Sequence, residues 1–183
     1  MGRRHNVFVS YHHENDQSYR NEFEQCFSHC YDIMVSKSVQ LGDIAPNLKT
    51  ETIRRKIRDE YLRDSTVLVV LIGKDTWKRK YIDWEISSSI RDTQYNSRMG
   101  LIGILLPSHP DYGKKTYNPY TIPPRLQDNV EKGFAKIYNW TMNKNCVQDW
   151  IHEAFNRRYN IIPDNSRTLF RNNRSFYQWQ WQD

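Results

Sequence analysis

No run of about 18 apolar residues occurs in the sequence, so no segment is expected to cross a membrane. No secretory leader is expected either, since Met1-Gly2-Arg3-Arg4-His5-Asn6 leads straight into the short run Val7-Phe8-Val9. Cysteine is scarce. Cys26, Cys30 and Cys146 are odd in number and lack framework spacing, which points to a reducing, cytoplasmic setting rather than a disulfide scaffold. Cys26, His29 and Cys30 have no matching second half of a zinc site, so no metal is expected. No G-x-G-x-x-G follows the first apolar run, which disfavours a nicotinamide-dependent dehydrogenase. A phosphate-accepting receiver would need acidic residues ending its first strand and an Asp ending its third. Ser10-Tyr11-His12 and Ile72-Gly73-Lys74 stand there instead.

What is present suits one domain: 183 residues, of which 38% are hydrophobic and 14% aromatic. The net charge of +6 favours anionic partners, a dinucleotide as much as a nucleic acid. The basic residues are scattered, and neither zinc-finger spacing nor an RNA-recognition signature accompanies them, so nucleic acid is not the expected partner.

Strand-like and helix-like stretches alternate. Val7 to Tyr11 reads as a strand, followed by a helix with apolar positions at Tyr19, Phe23, Cys26, Phe27 and Cys30. Ile33 to Val35 suggests a short strand, Leu41 to Asn47 a loop, and Thr50 the start of a second helix carrying Ile53, Ile57, Tyr61 and Leu62. Thr66 to Ile72 is a continuous β-rich apolar run, as expected of a strand covered on both faces. A turn at Gly73 to Thr76 leads to a helix holding Tyr81, Trp84, Glu85, Ile86 and Ile90. Leu101 to Leu106 and Phe134 to Trp140 read as further strands, and Val147 to Phe155 as the last helix. This pattern predicts an α/β fold of three layers, a mainly parallel central sheet flanked by helices, with ligands beyond the carboxyl ends of the strands. Residues 1–160 form the expected domain, with 107–124 as an inserted loop, and 161–183 an aromatic and basic extension expected to pack on the domain or to mediate self-association.

The order of these pieces resembles the TIR domain family. Val7-Phe8-Val9-Ser10-Tyr11-His12, with Asp16 beyond it, is similar to the family's opening strand. The loop at 41–47 takes the place of its BB loop, and Val69-Val70-Leu71-Ile72-Gly73 with Thr76-Trp77 that of its third strand and turn. Tyr81-Ile82-Asp83-Trp84-Glu85-Ile86 resembles its aromatic-x-x-x-Glu motif, with Tyr81 where the family usually has Trp. Within the family the likeness is to the TIR-like proteins of the bacterial Thoeris anti-phage system. It implies a flavodoxin-like TIR fold and cleavage of NAD+ at the nicotinamide–ribose bond, with Glu85 as catalytic carboxylate. Ser10, Tyr11, His12, Thr76, Trp77, Tyr81 and Trp84 are the substrate-binding candidates. It further implies NAD+ as substrate rather than cofactor, self-association in which 41–47 contacts a neighbouring subunit, and a cyclic ADP-ribose product that signals to an effector protein. A non-catalytic TIR adaptor is the rival expectation.

One carboxylate suffices for such a reaction. Glycosidases need two because an alkoxide leaving group must be protonated. Nicotinamide leaves from a pyridinium already positive and departs neutral, so the charge to be stabilised is the oxocarbenium left on the ribose. Tyr81 and Glu85, four apart, share a helix face. An ordinary Glu is ionised at neutral pH, so Glu85 is expected to need no unusual pKa.

Overall fold

The first apolar run forms strand β1 (His5–Ser10), whose successive side chains leave the sheet on opposite faces. The structure, a computed structural model, describes residues 5–28, 30, 33–35, 49–177 and 180–182. After β1 come α1 (His13–Phe27), β2 (Ile33–Val35) and α2 (Thr50–Lys56), which continues into a π-helical turn at Ile57–Tyr61. Strand β3 (Val67–Ile72), helix α3 (Lys80–Ser89) and strand β4 (Gly100–Leu105) make the middle of the molecule. Helix α4 (Pro124–Glu131), strand β5 (Ala135–Asn139) and helix α5 (Lys144–Asn160) complete the alternation. A hairpin of β6 (Ser175–Tyr177) and β7 (Gln180–Gln182) follows.

The main sheet has the order β2-β1-β3-β4-β5, and every pairing in it is parallel. This is the doubly wound flavodoxin-like order that the family resemblance implied, on the parallel sheet that the alternation predicted. β3 and β4 are buried along their whole length, which is why their sequences are apolar without alternation. Phe8, Leu68, Val70 and Ile72 face a core shared with Ile53 of α2, Ile57 of the π-helical turn, Ile82 and Ile86 of α3, and Leu126 of α4. Val7, Val9, Val69 and Leu71 face Phe23 and Phe27 of α1 and Val147, Ile151 and Ala154 of α5. Helices therefore cover both faces. Among the described residues no helix is long and apolar enough to cross a membrane.

Two differences from the sequence reading have physical causes. Tyr11 lies outside β1, because the chain turns there into the cap of α1. Helix α4 was not foreseen. Its Arg125, Gln127 and Asn129 are buried, so its inward face does not read as apolar, and only Pro124 in its first turn marks its start. Asn129 fills its own requirement by donating to the carbonyls of Arg125 (2.8 Å) and Asp164 (2.7 Å). Between β4 and α4 the chain is tied by its own polar groups: Asp111 accepts from Asn118 N–H (2.9 Å) and from Lys114 (2.8 Å). The loop 41–47 lies outside the described residues, and with it the contact expected of it.

Candidate active site

In a 2-1-3-4-5 sheet the strand order reverses between β1 and β3, and the crevice past their carboxyl ends is where such folds take ligands. β1 ends at Ser10, which pairs with Val70, and β3 ends at Ile72 followed by Gly73. Because Phe8 faces α3, Ser10, two residues on, faces it too. There it meets Glu85. The Ser10 hydroxyl donates to Glu85 Oε2, joining residues 75 apart in sequence. α3 presents the glutamate this way because Ile82 and Ile86 anchor the same side of the helix in the core.

Glu85 is 5% exposed, and no ion pair to it occurs among the described residues. Loss of water with only one hydroxyl in return pushes its pKa up to about 8. This corrects the expectation of an ordinary pKa. An unliganded Glu85 is mostly protonated at neutral pH, and a cation brought beside it would draw out the carboxylate.

The other candidates fall into distinct places. His12 is buried, and its Nδ1 accepts from Asn15 N–H at 3.2 Å, capping α1. Burial and then the charge of Arg79 hold its imidazole pKa below the usual value. Tyr11 packs in the core on the α1 side, with its hydroxyl donating to Gln17 at 2.7 Å. Thr76 is fully buried and holds the turn after β3: its hydroxyl oxygen accepts Gly73 N–H at 2.9 Å and lies 3.3 Å from Asp16. Trp77 lines a cleft of about 500 Å³ between the β3–α3 turn and the loop after β4, with Lys74, Lys78, Asp111 and Thr121. Trp84 is 3% exposed, and its indole N–H donates to the Phe170 carbonyl at 2.8 Å. It is an anchor under residues 164–174, with its ring turned away from the open surface that the expected substrate-binding role calls for. Tyr81 is half-buried, edge-on to Trp84 and under the Lys80 ammonium. The structure thus joins Ser10 to Glu85 and leaves Trp77 and Trp84 in settings of their own.

A second buried carboxylate lies on the same sheet edge. Asp16 faces Thr76 and accepts from Ser108 at 3.4 Å, and burial raises its pKa. Gly73 allows this close approach, since a Cβ there would sit 2.7 Å from the Asp16 carboxyl carbon. Arg79, whose charge reaches both His12 and His13, had not been singled out, because nothing in its neighbours tells it from other surface arginines. Asp83, buried beside Glu85 in sequence and paired with Arg125 at 2.8 Å, was likewise missed. An acid amid Ile82, Trp84 and Ile86 was its one signal.

The parallel 2-1-3-4-5 sheet, with an acid on its third helix turned to the end of β1, makes this an α/β domain of flavodoxin-like order, as the TIR resemblance implied. The family profile described as Thoeris protein ThsB, TIR-like domain, matches residues 8–111, and the chain belongs to that family. The match takes in Ser10, Asp16, Gly73 and Glu85, and ends before α4. No curated protein sequence matches. Among solved structures, the chain is similar to the TIR domains of a structure described as the activated Roq1 resistosome directly recognizing the pathogen effector XopQ. Identity there is 11%, covering 85% of this chain and 84% of that one, with a TM-score of 0.36. So remote a likeness carries no functional argument.

Proposed function

We propose that this chain cleaves NAD+ at the nicotinamide–ribose bond, with Glu85 as the reacting carboxylate and Ser10 as the group that orients it. The observation that carries the reading is the contact between these two side chains at the switch point of the sheet, on a glutamate nearly stripped of water. Ordinary surface glutamates are not held this way. A buried carboxyl without a cationic partner is unfavourable in the resting protein, and the positive charge of the pyridinium is the partner it lacks.

In the proposed step the C1′–N bond breaks with its electron pair moving onto the ring nitrogen, so nicotinamide leaves neutral. The oxocarbenium left on the ribose faces ionised Glu85, and the low local dielectric strengthens that attraction. Water adding at C1′ gives ADP-ribose, whereas a hydroxyl of the same dinucleotide gives a cyclic isomer, and each route releases one proton. A carboxylate of raised pKa accepts that proton better than an ordinary one. Arg79 on the same edge suits the diphosphate. Membership of the Thoeris family favours the cyclic product as an anti-phage signal read by an effector protein, with the domain acting in a self-associated form. No cofactor or metal enters the reaction as written.

The 5% exposure of Glu85 supports a second reading, a non-catalytic adaptor acting through TIR–TIR contact, because a ribose reaches that carboxyl only if its cover moves. One experiment separates them. The concentrated protein is incubated with NAD+, free nicotinamide is measured, and the nucleotide product is identified by mass spectrometry. Cleavage is expected from the wild type, with a loss of about a hundredfold or more in Glu85→Gln. Equal turnover in that variant would remove Glu85 from the chemistry, and no cleavage by either protein would leave the adaptor.

A further inference from the structure

Residues 164–174 run along the outer side of α3 and bond to it at each turn. Asn173 Oδ1 accepts the Lys80 N–H at 3.0 Å, a first-turn amide to which Arg79 offers no side-chain cap. A helix amide in that position has no partner within its own helix. One turn further, Phe170 N–H donates to Asp83 Oδ2 at 3.0 Å, and the Trp84 indole donates back to the Phe170 carbonyl at 2.8 Å. In the next turn Asn165 accepts from the Ser87 hydroxyl at 3.0 Å and donates to the Ser87 carbonyl at 2.9 Å. The segment is itself fastened to α4. Arg125 reaches Asn165 at 2.8 Å and the Thr168 carbonyl at 3.0 Å, and Arg167 is bidentate to Asp128 at 2.8 Å.

Glu85 is on the other side of the same helix. A desolvated carboxyl gains free energy by moving toward water, so it favours any outward shift or rotation of α3. The helix is 10 residues long, short enough for its end contacts to set its position. On the inner side Glu85 has Ser10, and on the outer side the strip 164–174 opposes the displacement. Those residues fall beyond the family-matched span 8–111, so this device is not part of what that match describes.

We infer that residues 164–174 clamp α3 from outside and so hold the Glu85 carboxyl against Ser10, with Asn165 and Asn173 as positioning residues for the reaction. The inference rests on Glu85 being the reacting carboxylate, and its test is chosen to fail separately from that reading. In the full-length chain, Asn165→Ala with Asn173→Ala removes the two side-chain links. Asn173→Asp keeps an acceptor for Lys80 N–H. The readouts are kcat and KM for NAD+, together with the midpoint of the Glu85 side-chain carboxyl titration followed by carbon NMR.

The double variant is expected to lower kcat by about tenfold to a hundredfold with KM little changed, the mark of a misplaced reacting group. Its Glu85 midpoint moves from about 8 toward the ordinary 4.5, while Asn173→Asp stays near the wild type on both measures. A folded double variant with an unmoved midpoint and undiminished kcat overturns the clamp, as does a rise in KM alone. Should the wild type release no nicotinamide, the proposed function fails and the titration decides the clamp by itself: a displaced midpoint supports it and an unmoved one refutes it. If the double variant does not fold, Asn173→Ala alone is read by the same two measures.

Discussion

Replacing Glu85 by Gln should make the protein more stable, and by an amount that depends on pH in a calculable way. The folded carboxyl titrates at about 8 against an ordinary 4.5, so folding favours its neutral form. Stability from this group is therefore complete below pH 4.5 and is lost as pH rises through 8. Relative to acid conditions, the wild type forfeits about 3 kcal/mol by pH 7 and about 5 kcal/mol at pH 9. Gln has the same shape, accepts the Ser10 hydroxyl through its carbonyl, and does not titrate. Its amide N–H groups add an offset, but one that is constant with pH. Urea unfolding of both proteins at intervals from pH 5 to 9 measures the difference directly. Other shifted groups, Asp16 and His12 among them, are common to both proteins and cancel in the comparison. The variant's advantage should grow steadily up to pH 8 and then level off. Two curves that stay parallel across the range would refute the burial argument for this carboxyl.

The same titration should shape the reaction. With a midpoint near 8, about a tenth of free Glu85 is ionised at pH 7, so kcat/KM for NAD+ cleavage should climb from pH 7 to 9. The rise in kcat should come at lower pH, since a bound pyridinium favours the carboxylate; a kcat/KM independent of pH from 6 to 9 would count against Glu85. At the turn after β3, Gly73→Ala should cost about 1–3 kcal/mol through contact with the Asp16 carboxyl, measured by urea unfolding. In an Asp16→Ala background most of that cost should vanish, and simple additivity of the two changes would contradict the close approach.

The parts of the fold that could be read from sequence are those where one physical effect dominates. Val67–Ile72 and the run after Gly100 are apolar throughout because both faces are covered, and Phe23 and Phe27 mark the inward side of α1. Helix α4 was opaque because its inner face is built from an arginine and an asparagine that find partners 35 to 43 residues away. Glu85 could be singled out through the motif beginning at Tyr81, and Ser10 through its place at the end of β1. That the two touch follows from the sheet order, which no local pattern states. Its protonation was misjudged because a pKa depends on how much water the fold leaves, and residue type says nothing of that. Thr76 and Trp84 were the right kinds of residue with unknown directions. One turned out to hold a turn and the other to anchor a distant carbonyl.

The bonds from Asn165, Phe170 and Asn173 to α3 link positions 78 to 93 apart in the chain. On a ribosome, α3 emerges 78 to 93 residues before those partners do, and until they follow its outer side lacks their bonds. A nascent molecule thus carries Glu85 on a helix whose links to residues 164–174 form only later in synthesis.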